Sequence, residues 1–217
     1  NGDILEAESV VNATGAWDNE VCRLLGFELP ITPRKGQVLV TEQVPPVGKT
    51  NVWSAQYIVS KLRPQVAVKP EPGAALSPAA RFGLGFAFTG THSGNYLVGS
   101  TRENALFDRG TDPEALGLLA RQVIHYFPVM KDVHFIRTFA GFRPSTQDGM
   151  PVIGEVPGFP GFFMAAGHEG DGIALSPITG QVVADIVERK KPEFNLESFR
   201  PGRFLAAKEG GLREAAS

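Results

Sequence analysis

One cysteine in 217 residues, Cys22, excludes an internal disulfide framework. It fits a reducing compartment, so the expected location is the cytoplasm, free or peripheral to a membrane. No apolar run approaches the roughly 20 residues that a membrane span needs, and no span is expected. Excess charge is lacking too: 21 Lys and Arg stand against 23 Asp and Glu, a formal net charge of −2. The densest basic run, ERKKPE at 188–193, mixes signs and closes a helix, so nucleic acid is not an expected partner. Also missing is any strand–GxGxxG–helix segment; Gly83, Gly85 and Gly90 do not have that spacing. His168 and Glu169 hint at a zinc helix, but no second His follows four residues later, so no metal is expected. The chain does not open on Met, and NGDILEAESVVNATG starts in mid-sheet, which reads as a longer protein whose N-terminal part is missing.

What is present is αβ at both ends with a β-rich block between. SVVNA (9–13) reads as a strand that turns sharply at Thr14-Gly15. Trp17, Val21, Leu24 and Leu25 then recur at helical spacing up to Gly26. From Gly36 to about Thr101 the pattern reads as strand: QVLVTE, SAQYIVSKL, QVAVKP, FGLGFAFTG and NYLVGST, with THSGN (91–95) as a hairpin turn. The Pro- and Gly-rich stretch at 70–85 reads as an exposed loop, with an unpaired edge as the alternative. TDPEALGLLARQVIHYFP (111–128) predicts a helix capped by Asp112, with Pro113 in its first turn and Leu116, Leu119, Ala120, Val123 and Phe127 on one face. VHFIRTFAGF (133–142) alternates like a strand and RPSTQDGMPVIG breaks it. GFFMAAG (161–167) is a short buried strand, ITGQVVADIVERKK an amphipathic helix, and the tail from Gly202 is expected to fray.

The stretch with the most chemistry is GHEGDGIALSPITG (167–180). Glycines let a backbone come into contact with a ligand, and a helix start offers N–H groups with the macrodipole behind them. A phosphate site would add Lys, Arg, Ser or Thr, whereas this loop supplies His168, Glu169 and Asp171. That favours a ring carbonyl that gains negative charge during reaction; a plain turn with Asp171 as helix cap is an equal alternative. Arg143 sits in a Gly/Pro-constrained turn after a strand, where a guanidinium can grip a carboxylate at two points. An internal salt bridge, for instance to Asp148, is the simpler reading of Arg143 from the residues alone. Cys22 reads as a small core residue.

Taken in order, VVNATGAW, PRKGQVLVTE, YLVGSTRE, AGFRPSTQDGMPVIG and GFFMAAGHEGDGIALSPITGQVVADIV resemble the C-terminal half of the D-amino-acid-oxidase superfamily of FAD enzymes. Within it the likeness is to glycine oxidase, sarcosine oxidase β subunits and FAD subunits of heteromeric amino-acid dehydrogenases, over residues 4–190. The resemblance implies an α+β or α/β fold: a partial, Rossmann-like FAD domain without its N-terminal GxGxxG unit, and a β-rich substrate domain with a mixed or antiparallel sheet. It implies FAD-domain segments at 1–34 and 139–200, a substrate domain at 35–138 and a tail at 201–217.

By the same resemblance, Ala13, Thr14, Gly15, Gly141, Gly167, His168, Glu169, Gly170, Asp171, Gly172, Ile173 and Ala174 are expected to bind the cofactor, and Arg143 to bind the substrate carboxylate. FAD is expected to be noncovalent, since covalently flavinylated sarcosine oxidases carry a cysteine near the position of Gly141, and to be absent from this segment alone. Glycine oxidase has a second carboxylate-binding arginine in the loop where this sequence has Gly170, which points away from glycine towards a bulkier or secondary amino acid. Tyr57, His92 and Tyr96 are candidates for the substrate pocket. The implied reaction moves a hydride from the carbon bearing the amine to the flavin, with a small amino acid or amine as substrate and a partner subunit as one route for electrons. Two other readings stand beside it: a glycerol-3-phosphate-type flavin dehydrogenase, for which FRPSTQDG lacks extra basic residues, and a non-catalytic module that binds a small carboxylate or a partner.

Overall fold

A computed structural model of the chain describes residues 2–62 and 76–205. In chain order its elements are β1 (Val10–Asn12), α1 (Asp18–Leu24), β2 (Ile31–Thr41), β3 (Val52–Trp53), α2 (Ala55–Leu62), α3 (Pro78–Arg81), β4 (Ala87–Gly90), β5 (Tyr96–Gly99), α4 (Pro113–Tyr126), β6 (Phe135–Thr146), β7 (Val152–Glu155), β8 (Phe162–Ala166) and α5 (Gly172–Val187). They form a mixed α+β fold with two sheets. One is three-stranded, ordered β1-β8-β7; the other is five-stranded, ordered β3-β4-β5-β2-β6. The chain divides into two compact units: Asn1–Pro33 with Arg143–Ser217, and Arg34–Phe142.

The first unit is built on the three-stranded sheet. β1 runs parallel to β8, with Val10 opposite Phe162 and Asn12 opposite Met164, while β7 and β8 are antiparallel. Residues on both faces of β8 are buried, so its sequence FFMAA is apolar without alternation, as expected of a strand covered on both faces. Cys22, Leu29, Ile31, Val152, Val156, Met164 and Ala166 are buried together in this unit, and Phe204 and Leu205 pack against them. Residues 202–205 of the expected tail are therefore not frayed, and 206–217 lie outside the described residues. Residues 202–205 continue a helical turn, and Arg203 holds Asp148 at 2.7 Å while donating to the Met150 carbonyl at 2.8 Å.

In the second unit β4 pairs antiparallel with both β3 and β5, and β5 with β2. The 91–95 turn is a hairpin, closed by Thr91 N–H donating to the Asn95 carbonyl at 2.9 Å. α4 packs on this unit's core through Leu119 and Val123, each fully buried, with Leu116 beside them. Its start follows the sequence signals: Asp112 Oδ1 accepts from the Glu114 N–H at 2.8 Å and Pro113 opens the first turn.

Three local readings are corrected. SAQYIVSKL is not a strand: Ala55–Leu62 is helical, because Ser54 Oγ accepts the Tyr57 N–H at 3.1 Å and its carbonyl accepts from Ile58, so the serine starts a helix ahead of the β-prone Ile-Val pair. β6 does not break at Arg143 but continues through Pro144 to Thr146, and MPVIGE yields a separate strand, β7. Of the expected loop at 70–85, residues 76–85 contain the short helix α3, capped by Ser77, and bury Phe82 and Leu84. QVAVKP lies outside the described residues.

Candidate functional site

In the first unit the sequence-selected segments meet because two parallel strands end together. β1 leads into Ala13-Thr14-Gly15 and β8 into the 167–172 loop; with Asn12 paired to Met164, both turns leave the sheet at the same carboxyl end of the two strands. Helices follow at once, α1 from Asp18 and α5 from Gly172. Carboxyl ends of adjacent parallel strands, each turning into a helix, are where open α/β sheets take ligands.

The first turn is held from beneath by a buried polar cluster. The fully buried Asn12 donates to the Asp18 carbonyl at 3.1 Å, and its Oδ1 accepts the Thr14 hydroxyl at 2.7 Å. Asp18 is also fully buried, 3.3 Å from Thr14 Oγ1, and its Oδ2 has no hydrogen-bond partner. Burial pushes its carboxyl up to about 7, against the lowering effect of the Thr14 and Gly15 hydrogen bonds. Cys22, one turn further on and fully buried, is likewise raised to about 11 by burial. Ala13 and Thr14 themselves are exposed and Gly15 takes φ +65°, so this turn presents backbone.

The second loop is fastened to the strand that carries Arg143. Ser145 and His168 form an antiparallel bridge, and the Glu169 N–H donates to the Pro144 carbonyl at 3.0 Å. Gly167 has φ +77°, and a Cβ there would lie 2.6 Å from Thr146 Cγ2, so only glycine lets the loop approach β6. His168 Nε2 lies 2.9 Å from Thr179 Oγ1 on α5, and burial lowers the imidazole below its ordinary 6.5, with Asp171 acting the other way. Its ring is engaged with the helix and is neutral at neutral pH. Glu169 takes φ +49°; its Oε2 accepts the Gly170 N–H at 2.5 Å and its Oε1 lies 3.9 Å from Arg143 Nε. Both side chains are largely buried, at 18% exposed for Arg143 and 15% for Glu169. Asp148, the partner considered for Arg143, is occupied by Arg203.

Asp171 occupies the cap position of α5 but makes no side-chain capping hydrogen bond. The first N–H groups of a 16-residue helix therefore face the loop without that acceptor. Beside them Ile173 is 95% exposed, and Ala174 is also open to solvent. An apolar groove of about 360 Å³ runs from His168 along Leu175, Ile178 and Phe194. A larger cavity, about 980 Å³, lies around the exit of α5, lined by Arg189, Lys190 and Lys191; it contains none of the sequence-selected residues.

Not every candidate joins this cluster. Gly141 lies in β6 within the second unit, exposed, with open space where a Cβ would be. Tyr96 is a core residue of that unit, stacked on Phe88 at 4.3 Å and accepting the Val47 N–H at 2.8 Å. Tyr57 is half-buried between Trp53 and the Arg102 guanidinium, and His92 is exposed in the hairpin turn. The sequence reading missed Asn12, Asp18, Thr146 and Thr179. VVNATGAWD did hold a signal for the first two, since Asn and Asp flanking a Thr-Gly turn are side chains that bond to neighbouring backbone. Among the described residues there is no cluster of three or more metal-binding side chains, and no helix long and apolar enough to cross a membrane.

Residues 1–186 match the family described as DAO, FAD dependent oxidoreductase. A glycine oxidase of Geobacillus kaustophilus is 33% identical over 207 residues, covering 94% of this chain and 47% of that protein. The hydrogen cyanide synthase subunit HcnC of Pseudomonas aeruginosa is 28% identical, covering 94% of this chain and 42% of that protein. The crystal structure of glycine oxidase from Geobacillus kaustophilus superposes with a TM-score of 0.72 at 30% identity, covering 89% of this chain and 45% of that one. The chain spans about half the length of the curated relatives it matches. This overlap supports a half-length correspondence and does not carry the C-terminal placement expected from the sequence.

Proposed function

Since the chain belongs to the DAO family of FAD-dependent oxidoreductases, we propose that it is the part of an amino-acid or amine oxidoreductase that lines one side of a noncovalent FAD and holds the substrate carboxylate. The observation that carries this reading is the shared carboxyl end of β1 and β8, from which the 13–15 and 167–172 turns emerge with the start of α5. The residues fit a flat, electron-accepting ring. Gly167 admits close backbone approach, Gly170 and Gly172 carry no side chain, and the first turn of α5 is not capped by Asp171.

FAD, when bound, supplies the acceptor for the hydride that leaves the carbon bearing the amine. The chain's own contribution is electrostatic and positional. Backbone N–H groups of Gly172, Ile173 and Ala174, with the α5 dipole behind them, stabilise negative charge that develops at the edge they face. The Asn12–Thr14–Asp18 cluster fixes the 13–15 turn, whose backbone would line the cofactor. The neutral His168, tied to Thr179, holds the loop to α5 and adds no charge beside the acceptor. Arg143 fixes the substrate carboxylate, and with it the orientation of the reacting C–H bond. Gly141, on β6 outside this cluster, keeps its cofactor assignment from the family resemblance alone. The unit of Asn1–Pro33 with Arg143–Ser217 is read as the cofactor-domain part and that of Arg34–Phe142 as the substrate-domain part. A partner subunit as electron acceptor is consistent with a relative that is itself named a subunit.

The test is an anaerobic visible spectrum of the full-length protein before and after addition of D-, L- and N-alkyl amino acids. Bleaching of the flavin bands by at least one of them is the expected result. A flavin spectrum that no amino acid or amine bleaches removes the substrate assignment, and a full-length protein without flavin removes the whole reading.

A further inference from the structure

Glu169 has three features that the functions assigned so far do not use. It is a non-glycine residue at φ +49°, a conformation that side chains other than Asn and Asp rarely adopt. It is a carboxylate only 15% exposed. Its Oε1 lies 3.9 Å from Nε of the arginine that receives the substrate. The loop is arranged around that approach. The Glu169 N–H is fastened to Pro144, one residue from Arg143, and Oε2 folds back onto the Gly170 N–H. Gly170 lies beside the guanidinium as well, since a Cβ there would stand in ordinary contact, 3.7 Å from Arg143 Nε. A turn made only for close approach to a ring would be served better by glycine at this position, with neither the backbone strain nor the buried charge.

We propose that Glu169 is a specificity-determining residue: its carboxylate balances Arg143, so that the site accepts a substrate with one carboxylate beside its amine and rejects one with a second carboxylate at that end. The inference rests on the assignment of Arg143 as the carboxylate grip. The Arg143–Glu169 pair is neutral overall, so a substrate carboxylate docked on Arg143 leaves the site with one net negative charge. A second carboxylate then meets Glu169 at short range in a partly desolvated site, where like charges are screened weakly. The ammonium form of the substrate amine is attracted by the same Glu169, which favours capture of a zwitterion over that of an isolated carboxylate.

The test uses the full-length flavoprotein and has two readouts. In the unmodified enzyme, acetate and malonate are titrated as non-reacting ligands and followed by perturbation of the flavin bands. Acetate should bind at least about tenfold more tightly than malonate. In Glu169→Gln, which keeps the shape and removes the charge, that preference should shrink by about tenfold, and KM for aspartate relative to alanine should fall in parallel. Glu169→Asp should restore part of the preference. Malonate binding as tightly as acetate in the unmodified enzyme overturns the proposal even if no variant folds, and so does an unchanged preference in Glu169→Gln. Arg143→Lys separates the two levels of the argument. If it weakens carboxylate substrates and simple amines equally, the grip itself falls and Glu169 with it. If Arg143→Lys acts selectively but Glu169→Gln leaves the preference unchanged, only the role of Glu169 falls.

Discussion

At the scale of single residues, the loop at 167–172 works through what is omitted. Gly167 combines a left-handed backbone with a site where a Cβ would stand 2.6 Å from Thr146 Cγ2, itself on a buried residue of β6. Gly167→Ala should therefore lower stability by ~1–3 kcal/mol through strain and overlap together. Thermal unfolding monitored by circular dichroism measures it, and an unchanged midpoint would show that the loop moves away freely. Arg143 makes a different demand, on geometry more than on charge. Arg143→Lys keeps the charge but loses the planar fork, so in the full-length enzyme KM for carboxylate substrates should rise about tenfold or more, well beyond any change for simple amines. Equal changes for both classes count against the grip. The glycines and Arg143 stood out in the sequence by their setting in constrained turns. A plain turn and a salt bridge read equally well or better there, and it was the family resemblance that selected them. The sequence did not display Thr146 or Thr179, whose importance comes from the residues that folding brings to them.

At the scale of elements, caps decided which sequence readings held. α4 was legible from TDPEALGLLARQVIHYFP because its cap, its proline and its apolar stripe agree; Asp112→Ala should cost about 1 kcal/mol, read as a lower thermal midpoint. α2 was misread because Tyr-Ile-Val carries strong strand propensity, while the helix start rests on one hydroxyl, Ser54 Oγ. Asp18 shows the same limit in its sharpest form. In sequence it is an ordinary first-turn acid of α1, yet in the fold it is fully buried with Oδ2 unpaired, and its carboxyl is raised from 3.8 to about 7. The folded chain then holds a proton that the unfolded chain has released across that interval. Its contribution to stability is complete below pH 3.8 and declines as the pH rises towards 7. Asp18→Asn removes this one titration. Compared with the parent, the variant should lose less thermal stability between about pH 4 and pH 7, and parallel profiles would show that Asp18 does not titrate in that interval.

At the scale of the whole molecule, each compact unit has its own buried cluster, one around Met164 and Val152, the other around Leu119, Val98 and Phe86. The strand–turn–helix patterns that open and close the chain could be read separately from the sequence; the parallel pairing of β1 with β8, which joins them, could not, because pairing across some 150 residues leaves no local mark. The same pairing leaves β1 at the margin of its sheet. Val10 is 49% and Val11 42% exposed there, and Ile4 and Leu5 just before them are each 90% exposed. A strand edge of this kind, apolar and without a charged side chain between residues 9 and 13, is a template for pairing with another strand. The 217-residue chain prepared by itself should therefore self-associate with rising concentration, and Val10→Lys should shift it towards the monomer without altering its circular dichroism. Sedimentation velocity at several concentrations reads both effects. A monomer at every concentration would mean that the β1 edge is not open to pairing, and association that Val10→Lys leaves unchanged would place the contact on another surface.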